Sequence, residues 1–233
     1  MPFSLTNTSA AFQQFMNDIF SNLLDVYVVI YLNNILIYLN NMSKHHQHVK
    51  EVLKHLYKAG LYAKAEKCKF HYESVEYLGY ILSPSGLTMS DDKVKIIQDW
   101  LEPKKVKNIQ YFLGFANFYY QFIFNYSDII IPLTHLTWKD IPWKFDSFCH
   151  DAFNSLKKSF TSTSILTYWI HDVQLIMETD ALDYTLTVIF SIVNKDNEVH
   201  LVAFHSYTFT VAELNYDTHD KELLAIFEAF KIW

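Results

Sequence analysis

Apolar side chains recur at intervals of three and four over Ala10–Leu24, where Phe12, Phe15, Met16, Ile19 and Leu23 share one face and predict a helix. The pattern then changes. Tyr27–Leu32 and Ile35–Leu39 are β-branched and aromatic runs separated by Asn33 and Asn34, and Asn tolerates positive φ, so a hairpin with a two-residue turn is expected there. Ser43 stands where a helix cap belongs, ahead of an inner face of Val49, Val52, Leu53 and Leu56, with Gly60 as the stop.

Val75–Leu82 has the composition of a strand, and Ser83-Pro84-Ser85-Gly86 is turn chemistry. Asp91 and Asp92 sit where carboxylates favour a helix start, and that helix runs to about Trp100. Pro103 ends the segment, and an aromatic-rich helix is expected over Val106–Phe122. Trp138–Trp143, with Pro142 inside, reads as a domain boundary. A helix at Ser147–Phe160 precedes three successive strands, Gln174–Thr179, Thr185–Val193 and Glu198–Ser206. Thr218–Lys231 closes the chain as a helix with Leu223, Leu224, Ile226, Phe227 and Phe230 apolar.

Composition narrows the picture. In 233 residues 51% are hydrophobic, 19% are charged and the net charge is −6. That excludes a disordered chain, and with only two cysteines, Cys68 and Cys149, a disulfide scaffold is excluded too. The longest apolar stretch, Val26–Leu39, is broken by Asn33 and Asn34, and a bilayer span needs about 20 apolar residues, so no membrane partner is expected. No secretory signal is seen, and an intracellular, reducing setting is the default. All 19 basic residues are Lys, and only 4 residues are Gly where average usage gives about sixteen. Arg is the usual bidentate clamp on phosphate, so its absence weighs against an active nucleic-acid enzyme.

The order of motifs nevertheless points to one family. Met1-Pro2-Phe3-Ser4-Leu5-Thr6-Asn7, followed by Phe12-Gln13 and Asn17-Asp18, resembles the gypsy-type LTR-retrotransposon reverse transcriptases, which read M-P-F-G-L-T-N-A-P-x-x-F-Q. Val28-Val29-Ile30-Tyr31-Leu32-Asn33-Asn34-Ile35-Leu36-Ile37 is similar to the family's V-V-Y-L-D-D-I-L-I. Glu66-Lys67-Cys68, Tyr77-Leu78-Gly79-Tyr80 and Phe112-Leu113-Gly114 continue the likeness, and Glu178-Thr179-Asp180-Ala181 with Asp220-Lys221-Glu222-Leu223-Leu224-Ala225 resembles the opening of the family's RNase H domain. The resemblance implies an α+β chain: the C-terminal half of a polymerase palm over 1–82, a helical thumb and connection over 83–140, and an incomplete RNase H-like α/β domain over 141–233. Both modules are then expected to be cut off at the chain ends.

The same resemblance implies Mg²⁺ as cofactor and an RNA/DNA primer–template as partner. Mg²⁺ takes carboxylate and water oxygens in tight octahedral geometry. The family draws one Asp from a motif preceding this sequence and two from its turn, where this chain has Asn33 and Asn34. Replacing two anions by neutral amides removes several kcal/mol of metal binding. Taken without the family, Asn33 and Asn34 are simply good turn residues. Phe3, Ser4, Gln13 and Tyr31 are the positions that by resemblance contact nucleotide or primer–template. Ser4 replaces a family Gly, Ser9 a Pro, and Tyr120-Gln121 a basic pair. By the same resemblance Asp180 and Glu222 match the first two of four RNase H metal ligands; taken without the family, Asp180 reads more simply as a strand-end turn residue and Glu222 as a solvated helix residue.

Other clusters carry less. His45, His46 and His48 match no standard ligand set, and a solvated helix start accounts for them. Lys104, Lys105 and Lys107 could follow a phosphate backbone or form an ordinary solvated run. The expectation is a retrotransposon reverse transcriptase/RNase H segment that is catalytically inactive. The alternative is a non-catalytic nucleic-acid or protein binding module derived from such an element.

Overall fold

The computed structural model describes residues 6–39, 42–162 and 164–233. The chain divides into two compact units, Met1–Leu78 and Gly79–Trp233. Each mixes helices with small sheets, as the α+β expectation requires.

In the first unit, helix α1 (Thr8–Ile19) precedes strands β1 (Val28–Tyr31) and β2 (Asn34–Ile37). Helix α2 (Met42–Lys58) and strand β3 (Val75–Tyr77) follow. The periodicity placed the end of α1 at Leu24, but the helix stops at Ile19. Past it the chain curls, with Val28 N–H donating to the Leu23 carbonyl at 3.2 Å, and this tight path buries Leu23 and Tyr27. Met16, Phe20, Val28, Ile30, Val52 and Leu56 complete the core. Removing such side chains from water is worth about 1.5–3 kcal/mol each.

Helix α2 begins at Met42, so Ser43 lies in its first turn. Leu53, expected inward, is exposed. Aromatic rings take its place: His48 stacks on Tyr27 at 3.8 Å between centroids, and His55 lies 5.8 Å from Phe20.

The second unit opens with the hairpin β4 (Tyr80–Ser83) and β5 (Gly86–Met89), closed by Pro84 and Ser85. The single strand expected over Val75–Leu82 is interrupted, because Leu78 and Gly79 both take positive φ. Gly79 is required there: a Cβ would stand 2.6 Å from the Tyr119 hydroxyl. At Gly86 a Cβ would meet the Leu166 carbonyl oxygen at 2.3 Å, where Leu87 and Leu166 form a two-bond backbone bridge.

Helices α3 (Asp91–Gln98), α4 (Val106–Asn117), α5 (Tyr126–His135) and α6 (Ser147–Thr161) pack around one core. The helix expected through Phe122 ends at Asn117, with a short 3-10 turn over Tyr120–Phe122. That core includes buried residues from Met89 to Leu166 and is continuous across Trp138–Trp143. Asp146 caps α6 by accepting from Cys149 N–H at 3.1 Å, which holds the Asp146 carboxyl below its usual range.

The final part is an antiparallel meander of β6 (Gln174–Ala181), β7 (Thr185–Val193) and β8 (Val199–Thr208). Helix α7 (Thr218–Ile232) packs on one face of this sheet, burying Leu186 and Val188 against Ala225 and Ala229. Helix α5 lies on the opposite face, where Ser127 N–H donates to Ser206 Oγ at 2.8 Å and Thr187 bonds Asn125. Four of the five apolar residues expected in α7, namely Leu223, Ile226, Phe227 and Phe230, point to solvent. Only small alanines allow the helix to approach the sheet closely.

Candidate functional site

The site begins with the hairpin of the first unit. Its register pairs Tyr31 with Asn34, so the two turn residues are Leu32 and Asn33 rather than Asn33 and Asn34. Leu32 takes the left-handed conformation, φ 52°. A non-glycine residue there costs about 1–2 kcal/mol and persists only where its surroundings hold it.

Two side chains supply that hold. Gln13 of α1 accepts the Leu32 N–H through Oε1 at 2.6 Å and donates through Nε2 to the Ile30 carbonyl at 3.2 Å. The same Nε2 donates to Asn17 Oδ1 at 2.8 Å. From β3, the Tyr77 hydroxyl reaches the carbonyls of Val29 at 3.4 Å and Asn34 at 3.3 Å. Burial pushes the Tyr77 hydroxyl above its usual pKa, which keeps it a donor at any physiological pH. Sequence reasoning missed Tyr77 as a member of this site, and an isolated Tyr many positions from the turn carries no signal of it.

The arrangement presents Asn33 and Asn34 to solvent at the hairpin tip, beside the exposed Tyr31. Gln13 turns its amide into the hairpin backbone. Phe3 and Ser4 lie outside the described residues. Asn33 and Asn34 do not fit a hard dication: their amide oxygens are neutral and their NH₂ groups repel it. Among the described residues no group of three His, Cys, Asp or Glu side chains is assembled around one point.

In the second unit, Asp180 is exposed and pairs with Thr187, so it shares the sheet face turned to α5. Glu222 is half-buried on α7, which covers the other face. The two acids therefore belong to different layers. Lys104 lies ahead of α4, where its backbone N–H donates to Asn108 Oδ1 at 3.3 Å; Lys107 belongs to the helix itself.

A short hairpin braced by a helix is followed in the same chain by a three-stranded meander and a helix, an α+β arrangement. Residues 1–82 match the family model described as reverse transcriptase (RNA-dependent DNA polymerase), and residues 145–233 match that of the RNase H-like domain found in reverse transcriptase. The Tf2-7 transposon polyprotein of Schizosaccharomyces pombe is 34% identical over all 233 residues, and the Tf2-3 polyprotein is 33% identical. The chain spans 18% of the length of these relatives. Among solved structures, foamy viral protease–reverse transcriptase in complex with RNA/DNA hybrid superposes with a TM-score of 0.83 at 23% identity. The match covers 99% of this chain and 31% of that one. The same viral protein in complex with dsDNA gives 0.82 at 23% identity, covering 99% and 48%. The chain belongs to the gypsy-type LTR-retrotransposon reverse transcriptases with an RNase H-like domain. Divalent metal use is general in that family.

Proposed function

We propose that this chain is the palm, connection and RNase H-like portion of a retroelement reverse transcriptase that no longer extends a primer. The domains are 1–82 palm, 83–140 thumb and connection, and 141–233 RNase H-like. One observation carries the reading: the hairpin tip that would offer two carboxylates offers the amides of Asn33, in the turn, and Asn34, at the start of β2. In a divalent site, anionic oxygens both hold the ions and fix their spacing for in-line phosphoryl transfer. Mg²⁺ is the ion such a site would take, and amides in place of the acids leave it without an anionic ligand at the hairpin.

The hairpin itself supports a second reading. Gln13 and Tyr77 keep the turn in shape without any metal, so a surface for an RNA/DNA primer–template is retained in geometry while the chemistry is lost. Primer extension with Mg²⁺ or Mn²⁺ tests the first reading, with the unmodified chain and the double variant Asn33→Asp/Asn34→Asp run side by side. No extension by the unmodified chain is expected, and extension by it overturns the proposal. A gel shift of a labelled primer–template that weakens as salt rises supports the binding role; no shift at low salt removes it.

A further inference from the structure

Helix α7 carries two apolar faces, of which the sheet covers one. Ala225 and Ala229 meet Leu186 and Val188 of β7. On the opposite side Leu223, Ile226, Phe227 and Phe230 recur at intervals of three and four, the spacing of a helix–helix seam. These four side chains are 44–70% exposed. Trp233, 40% exposed, extends the stripe along one flank, with its ring 4.8 Å from that of Phe190. Single apolar residues at a surface need no explanation, whereas a contiguous stripe marks a place of contact.

The size of the stripe suits a partner like itself. An aromatic side chain offers about 150–250 Å², so the exposed parts of Phe227, Phe230 and Trp233 come to about 300 Å². With Leu223 and Ile226 the stripe covers about 500 Å², as much as the largest patch on a typical monomer. Two such stripes face to face bury about 1,000 Å², the least that a specific interface needs.

Charge decides the orientation. At about 100° per residue, Asp220 and Lys231 fall on the same flank of the stripe, at opposite ends of α7. Both residues are exposed, and Glu228 holds the Lys231 ammonium at that flank, with Nζ 3.0 Å from Oε1. In a parallel two-fold pair of helices Lys231 would meet Lys231 and Asp220 would meet Asp220, and like charges set together cost binding. In an antiparallel pair each Lys231 meets the partner's Asp220, at both ends of the contact, while Leu223 packs beside the partner's Phe230.

We propose that α7 is a self-association surface. Two copies of the chain pair through Leu223, Ile226, Phe227 and Phe230 with their helices antiparallel, and Lys231 with the partner's Asp220 closes each end. The occupant is a second copy because the stripe supplies both halves of the charge pair itself. A self-complementary contact of this kind closes at two copies. Its small area makes the dimer weak and reversible, and it stands apart from the hairpin tip of the first unit.

Sedimentation equilibrium of the full chain tests this. A concentration-dependent dimer with a dissociation constant of about 1–50 µM is expected. The double variant Phe227→Ser/Phe230→Ser should raise that constant at least about tenfold, while dilute samples, monomeric in both forms, unfold alike. Asp220→Lys and Lys231→Asp should each weaken self-association. An equimolar mixture of those two variants should restore it, since the mixed pair regains opposite charges at both ends. All four positions are exposed, so the variants retain the fold, which circular dichroism checks. A chain that stays monomeric at about 200 µM overturns the proposal and assigns the stripe to a different partner. A dimer indifferent to the Phe double variant, species larger than two copies, or a mixture no tighter than its components overturns it as well.

Discussion

Gln13 Oε1 accepts the backbone N–H of Leu32 at 2.6 Å, joining the first helix to the one left-handed residue of the hairpin turn. A side chain that resemblance assigns to substrate contact is here spent on backbone geometry. The hairpin therefore depends on α1 for its shape, and its tip can be tested apart from any ligand.

Gln13→Ala leaves the half-buried Leu32 N–H and Ile30 carbonyl without their partner. A buried polar group so orphaned costs about 1–3 kcal/mol, and urea unfolding should report a loss of that size. Gln13→Glu keeps the acceptor for Leu32 and should lose less.

Leu32→Val places a β-branched residue at φ 52°, where Leu is already strained. A further loss of about 1–2 kcal/mol is expected. Leu32→Asn, which tolerates that region, should be near neutral by thermal unfolding.

Gly86→Ala forces a Cβ to within 2.3 Å of the Leu166 carbonyl oxygen at a φ of 130°. Backbone must move and the Leu87–Leu166 bridge must open. A loss of at least about 2–3 kcal/mol is expected, readable as a lowered thermal midpoint.

Exposed and buried positions on α7 invert the usual expectation about size. Phe230 is 70% exposed and Phe227 61%, whereas Ala229 is 1% and Ala225 fully buried. Phe227→Ser and Phe230→Ser should each change stability by less than about 0.5 kcal/mol. Ala225→Leu should cost about 1–3 kcal/mol by overpacking the contact with β7.

His205 on β8 has both ring nitrogens buried without partners. Burial lowers its pKa, partly offset by the Glu228 carboxylate. A pKa depressed in the folded state means that the unfolded chain takes up the proton more readily. Stability from the neutral ring is thus complete well above the unfolded value of about 6.5 and is lost as pH falls through it. His45, whose pKa is lowered by burial and by the neighbouring imidazoles, contributes in the same direction. The urea midpoint should fall between pH 8 and pH 5, and the fall should be smaller in His205→Phe.

The C-terminal meander and α7 were legible to within two residues, because the run of β-branched and apolar residues over Thr185–Val193 and the Asp217 side chain accepting from Asp220 N–H are local features. Less local facts were not. The hairpin existed in the pattern of Tyr27–Leu39, but its turn shifted by one residue, since Gln13 and Tyr77 decide which residue takes positive φ. Likewise the apolar residues of α7 were plain, and their outward orientation was not, because close approach to the sheet favours alanines.

What the sequence by itself determined is the element order, the family and the charge of the hairpin tip: two amides are neutral in any fold. Tertiary structure alone decided the register of the turn, the face each acid occupies, and the meeting of His71 with His45 and His46. Those relationships depend on contacts between residues far apart in the chain, and periodicity carries only the forces acting between near neighbours.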